Sequence, residues 1–212
     1  MRKILMGLAI LAIFYNGAYA GLFKDDVDLA DLSQLSPEAL ETLEHTEFNV
    51  FLMKVKLAGA KVLENMAKND LKISKLTLDA KKQRFKSAEA DLKEAKASQN
   101  STLIDSAEKA LRNTDKELGN AKLLIQWKEK EGDVQAAGVE KAKLAVALSE
   151  AERDLARVSK LIEKDMPSAK KYNLSDFKAN LDKKHKKYQK ALSSEKKAML
   201  EAQKLKAKYE NQ

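Results

Sequence analysis

Proline occurs only twice in this chain, at Pro37 and Pro167, and the stretch between them consists largely of Ala, Leu, Lys and Glu. Proline removes a backbone donor and clashes with the preceding turn, so about 130 consecutive residues lack the strongest helix breaker. One interruption divides that stretch, the segment ASQNST at 97–102. Its Ser, Asn and Thr favour turns and caps because their side chains compete for backbone groups. The pattern predicts two long helices that meet at Gln99 and Asn100. Ser36 is placed to cap the first, with Pro37 at its first helical position, where no hydrogen bond is lost. For the second helix, Thr102 with Asp105 forms a capping pattern, and Asn100 and Ser101 compete as the cap.

A hairpin requires its two arms to match. With the reversal centred between Gln99 and Asn100, facing residues have numbers summing to 199. Leu92, Ala88, Phe85, Leu78 and Ser74 then face Ala107, Leu111, Thr114, Ala121 and Ile125. Farther out, Ala60, Leu57, Met53 and Leu43 face Val139, Ala142, Val146 and Ala156. Through most of these pairs a bulky side chain meets a smaller one, the alternation that lets two helices interdigitate at close spacing. Three pairs break the rule: Lys81 with Leu118, Leu71 with Lys128, and Glu64 with Gln135. Arms of about sixty residues rising 1.5 Å each would make a rod roughly 90 Å long.

Away from the turn each arm carries a second apolar stripe, which calls for a second neighbour. The stripes are Leu52, Val55, Val62, Met66, Ile73 and Leu76 on the first arm, and Leu144, Leu148, Ala151, Leu155, Val158 and Ile162 on the second. The segment after Asp165-Met166-Pro167-Ser168 supplies the neighbour, a third helix capped by Asn173 or Ser175 and ending near Tyr209. Its expected seam is Phe177, Leu181, His185, Tyr188, Leu192, Met199 and Ala202, and its length of about 50 Å returns it to the level of Leu76 and Trp127. The expected fold is all-α: a long antiparallel coiled-coil hairpin with a third C-terminal helix packed on its open end. Residues 36–212 form one elongated helical domain, with helices about 36–98, 102–164 and 174–210. Gly132 and Gly138 are read either as a bend where the stem packs or, the preferred reading, as points of close helix approach, Gly132 facing Ala67.

The chain begins MRKILMGLAILAIFYNGAYA, with a basic start, an apolar run from Ile4 to Phe14 and the small-x-small sequence Ala18-Tyr19-Ala20. That is the layout of a signal peptide, 1–20, cleaved after Ala20, and the run is shorter than the roughly twenty residues a membrane span needs. Gly21, not Cys, follows the cut, which leaves no lipid-modified amino terminus. The expected destination is periplasmic or secreted. Residues 21–35 carry Asp25, Asp26, Asp28 and Asp31 without clear periodicity, and are read as an acidic flexible arm. As a calcium loop counted from Asp26 the arm fails, because its sixth and twelfth positions hold Asp31 and Pro37.

Little in the composition suggests catalysis. There are no cysteines, so thiol chemistry, thiolate metal sites and disulfides are excluded. The two histidines, His45 and His185, lie on different helices, without the cluster a structural zinc needs. No phosphate-cradling glycine loop, serine elbow or His-Glu-x-x-His helix occurs. Acid pairs such as Glu129 and Glu131 sit among many solvated charges, without the burial that tunes a carboxylate for acid–base work. The expectation is a non-enzyme with no cofactor and no metal. Asn100-Ser101-Thr102 and Asn173-Leu174-Ser175 match the glycosylation acceptor pattern, but turn and cap chemistry accounts for both asparagines.

Charge is unevenly placed. Of the net +8, the first twenty residues hold +2, and residues 169–212 hold 13 Lys against 5 acids, which leaves −2 for 21–168. Lys183, Lys184, Lys186, Lys187 and Lys190 crowd two turns of the third helix, and Lys196 and Lys197 follow. They form a candidate anion- or membrane-binding face, with a solvated surface as the plainer reading. Nucleic acid is disfavoured by export and by the dominance of Lys over Arg. Two functions are expected in order. The first is a periplasmic scaffold, adaptor or holdase-type binder working through helical surfaces. The alternative is a peripheral binder of an anionic membrane surface or envelope polymer. A protein partner is expected, and a Leu/Ala seam also allows a homo-oligomer.

Overall fold

A computed structural model describes residues 27–211. The expected signal segment, its expected cleavage point and the first part of the acidic arm lie outside them. Four α-helices follow in order: α1, Leu29–Leu32; α2, Pro37–Ala97; α3, Ser101–Glu163; and α4, Leu174–Glu210. A short 3-10 turn, Pro167–Lys171, joins α3 to α4. The long helices fall within a residue or two of their expected bounds. Ser36 Oγ accepts the Ala39 amide at 3.3 Å. Asn100 Oδ1 accepts the amides of Thr102 and Leu103 at 3.1 and 3.3 Å, which settles the cap of α3. Asn173 caps α4 by accepting the Ser175 amide at 3.0 Å. Gln99 takes the left-handed conformation, φ 54°, that lets the chain leave α2, and Asp165 does the same after α3 with φ 51°.

The α2–α3 seam repeats in alternating steps of three and four residues, the spacing of a left-handed coiled coil. On α2 the buried positions include Leu43, Val50, Ala67, Ser74, Ala88 and Ala95, and on α3 Leu118, Ala121, Val139, Ala142 and Val146. Ion pairs beside the seam fix the register. Glu47–Arg157, Lys54–Glu150 and Lys75–Glu129 each sum to 204, a constant offset from a core summing to 199. The lysines that interrupted the pattern turn out of the seam to carboxylates. Lys81 reaches Glu117, and Lys128 reaches Glu131 at 2.6 Å and Asp70 at 3.5 Å. Burial disfavours the Lys128 ammonium, yet Glu131 and Asp70 outweigh it and raise its pKa.

Helix α4 runs antiparallel along α3 and leaves α2 essentially untouched. Tyr209 stacks on Trp127 with ring centroids 5.6 Å apart, Glu201 meets Lys130, and Glu195 takes Lys141 at 2.7 Å. The α3 residues facing α4 lie roughly 150° around the helix from those facing α2, given 100° per residue. The three helices therefore form an open row with α3 in the middle. The second stripe of α2 stays bare. As expected, α4 ends at Trp127, and beyond it α2 and α3 project as a pair for another 35 Å or so.

The seam of α4 differs from the expected one. Half-buried positions follow a strict heptad through Phe177, Leu181, Lys184, Tyr188, Ala191, Glu195, Ala198 and Ala202. His185, Leu192 and Met199 lie one residue off that line and are exposed. Glycine behaves differently too. Nothing within 4 Å would meet a Cβ at Gly132, so no close approach occurs there, whereas a Cβ at Gly138 would lie 3.4 Å from a Glu195 carboxylate oxygen.

The second half of the acidic arm is not loose. Val27, Leu32 and Leu35 pack with Ala39, Leu43, Val158 and Leu161 into a buried apolar cluster, ringed by Met166, Tyr172 and Phe177. Asp31 is itself buried. The Tyr172 hydroxyl donates to Asp31, Lys171 Nζ lies 2.7 Å from the same carboxylate, and the Asp28 amide donates to the Tyr172 oxygen at 3.0 Å.

Candidate functional site

Two outward faces stand out, one at each edge of the row. The first is the bare stripe of α2. Phe48, Phe51, Val55, Val62, Leu63, Met66, Ile73 and Leu76 are each 51–63% exposed. Exposed apolar surface of this extent exceeds the singly scattered apolar residues ordinary on a protein surface.

The second face belongs to α4. Lys183, Lys190, Lys197 and Lys204 recur at intervals of seven, which places them in a line roughly 10 Å apart on the side away from α3. Lys186, Lys187 and Lys196 flank the line. All these side chains are exposed, and Lys183, Lys186, Lys187 and Lys190 border one shallow groove with Asp182. Among the described residues none of Lys183, Lys186, Lys187, Lys190, Lys196 or Lys197 makes an ion pair, whereas Glu195 and Glu201 are engaged by Lys141 and Lys130 of α3. Lys184 parts from the set and is half-buried on the α3 side. Six of the seven candidate lysines thus share the outer surface.

Between these faces lies a buried charge cluster that sequence reasoning missed. Arg153, Asp154 and Arg157 of α3 are 2–3% exposed. Arg153 Nε donates to Asp154 Oδ1 at 2.9 Å, and Arg157 grips Glu47 through Nε at 2.8 Å and Nη2 at 2.7 Å. Among the described residues two positive and two negative groups meet there across the α2–α3 seam. The signal was present in Arg153, which falls at a core position of the α3 heptad, but its charge argued for a surface place.

The Asp31 knot is electrostatically tuned. Hydrogen bonds from Lys171 and then Tyr172 hold the Asp31 carboxyl below the usual carboxylate range. Reciprocally, the Asp31 hydrogen bond raises the Lys171 ammonium, and burial followed by Asp31 raises the Tyr172 phenol. This arrangement fastens the docked segment.

His45 contacts Asn49 at 3.3 Å, far along the chain from the exposed His185. Among the described residues no three His, Cys, Asp or Glu side chains gather as a metal site, and no helix is long and apolar enough to cross a membrane. No protein-family model, curated protein or solved structure matches this chain. Its reading therefore rests on the two faces themselves.

Proposed function

We propose that this chain is a non-enzymatic, exported coiled-coil binder, a scaffold, adaptor or holdase acting in the periplasm or outside the cell through its helical surfaces. The bare apolar stripe of α2 is the observation that carries the reading. Eight large side chains more than half exposed would be costly in water unless a partner covers them. The signal-like amino terminus motivates the compartment. A photo-crosslinking residue at Val55 or Met66, introduced in intact cells, tests it. The stripe should yield defined protein adducts, and a control at Lys86, on the projecting pair, should not. Equal or absent adducts at both places would reject the reading.

The second reading is a peripheral binder of anionic membrane or envelope polymer, and the unpaired lysine line of α4 favours it. Each Lys near an anionic surface contributes about 1 kcal/mol, weakened by salt. Sedimentation with anionic vesicles should fall as salt rises and fall further with Lys→Glu at 183, 186, 187 and 190. Binding indifferent to both would dismiss it.

A further inference from the structure

We infer that the occupant of the α2 stripe is the α2 stripe of a second copy, paired antiparallel about a two-fold axis near residues 60 and 61. The inference rests on the protein-binding reading above and names its partner.

Three observations support it. The first is area. Eight side chains at 51–63% exposure present on the order of 800 Å² per copy, which matches what each partner contributes to a stable interface. The second is spacing. The stripe runs Phe48, Leu52, Val55, Gly59, Val62, Met66, Asn69, Ile73, Leu76, in the same three-and-four steps as the seam that already pairs α2 with α3. It can therefore enter the same kind of coiled coil.

The third is self-complementarity. In the α2–α3 seam, facing core residues share one sum and three of the ion pairs between the helices share a sum five larger. Two α2 stripes with a core sum of 121 set Phe48 against Ile73, Val55 against Met66, and Gly59 against Val62. The flanks then sum to 126, which puts Lys56 opposite Asp70 twice over and Leu63 opposite its own copy. Moving the register by one heptad, to 128, sets Leu63 against Asp70 and loses that match. An isologous contact needs this mutual fit. Since α4 makes at most slight contact with α2, and the stripe residues are more than half exposed, the stripe is open along its length. The assembly would be a row of six long helices with the two lysine lines at its outer edges.

Sedimentation equilibrium of the full chain tests the pairing, and twice the 23.7 kDa monomer mass is expected at micromolar concentration. Val62→Glu and Met66→Glu change exposed residues, so helicity by circular dichroism should hold while association weakens by about 100-fold or more. The chain has no cysteine, so single spin labels report orientation. Labels at Leu63→Cys should lie within about 20 Å of each other, and labels at Leu76→Cys roughly 45 Å apart. A monomer at every concentration, a dimer indifferent to Val62→Glu, or a short distance at position 76 would each overturn the proposal. A monomer that still forms crosslinked adducts at Met66 would overturn self-pairing alone and leave the protein-binding reading standing. Loss of both would end both.

Discussion

Helices α2 and α3 carry the same outward pattern, yet α4 covers one and leaves the other bare. On α3, Leu144, Leu148, Ala151 and Leu155 are buried or half-buried beside α4, while on α2, Val55, Val62, Met66 and Ile73 stay more than half exposed. Hydrophobicity does not separate them. Position does. The short link through Pro167–Lys171 launches α4 from the end of α3, and the α3 stripe points away from α2. A helix laid on that stripe leaves the outward face of α2 uncovered. Two seams nearly opposite on one helix build a row, whereas seams on adjacent sides build a bundle. A row leaves an edge, and here that edge is made of valine, methionine and isoleucine.

The largest effect should appear where the same substitution is made on covered and bare surface. Leu161 is fully buried in the cluster at the stem's end, so Leu161→Ala should cost about 2–5 kcal/mol in urea unfolding. Val62→Ala, at 58% exposure, should change the stability of dilute protein by no more than about 0.5 kcal/mol. A large loss at Val62 in a monomer would mean the α2 stripe is already covered, and the contrast between the arms would fail.

The docked segment 27–35 adds a pH test of a different cover, the one over the end of the row. Asp31 is held below its usual range by Lys171 and Tyr172. Its contribution is complete above the unfolded-state pKa and is lost as the pH falls through the lower folded-state value. Lys171 and Tyr172 are raised, so theirs is present below their unfolded values and lost as the pH climbs through the folded ones. Hydrogen exchange at Ala30 to Leu35, corrected for its intrinsic pH dependence, should show protection level from about pH 5 to 9 and falling on both sides. Asp31→Asn should remove the acidic fall. An unchanged acid limb in that variant would detach the carboxylate from the docking.

Much of this was legible from periodicity. The reversal at Gln99-Asn100, the pairing of Ala88 with Leu111 or Met53 with Val146, and the return of α4 to Trp127 follow from helix repeat and length, which are local properties. The misreadings share a cause, the assumption that burial follows hydrophobicity. Leu192 and Met199 were assigned to the α4 seam because they are apolar, but strict seven-residue spacing seats Lys184, Ala191, Glu195 and Ala198 there. Arg153 and Arg157 are buried although charged, because Asp154 and Glu47 compensate them. Asp31 hid the docking of its segment in the same way, since its partners lie some 140 residues away. Of the candidate lysines, six are exposed and Lys184 is half-buried, because on a single exposed helix the repeat alone decides which way a side chain points.

The smallest effect compares the two sides of α3 through glycine. Gly132 faces α2 in the seam and Gly138 faces α4, and both lie inside a helix, where Ala is favoured by about 1 kcal/mol. At Gly132 an added Cβ meets nothing within 4 Å, so Gly132→Ala should return most of that gain. At Gly138 the Cβ would lie 3.4 Å from Glu195 Oε1, and that oxygen also accepts from Lys141 at 2.7 Å. The carboxylate must shift slightly against its partner, so Gly138→Ala should gain less. Urea midpoints for the two variants, measured at one concentration, decide the order. If Gly138→Ala proved the more stabilising, the α3–α4 seam would be looser than the α2–α3 seam at that level, and α4 would be the weakly held element of the row.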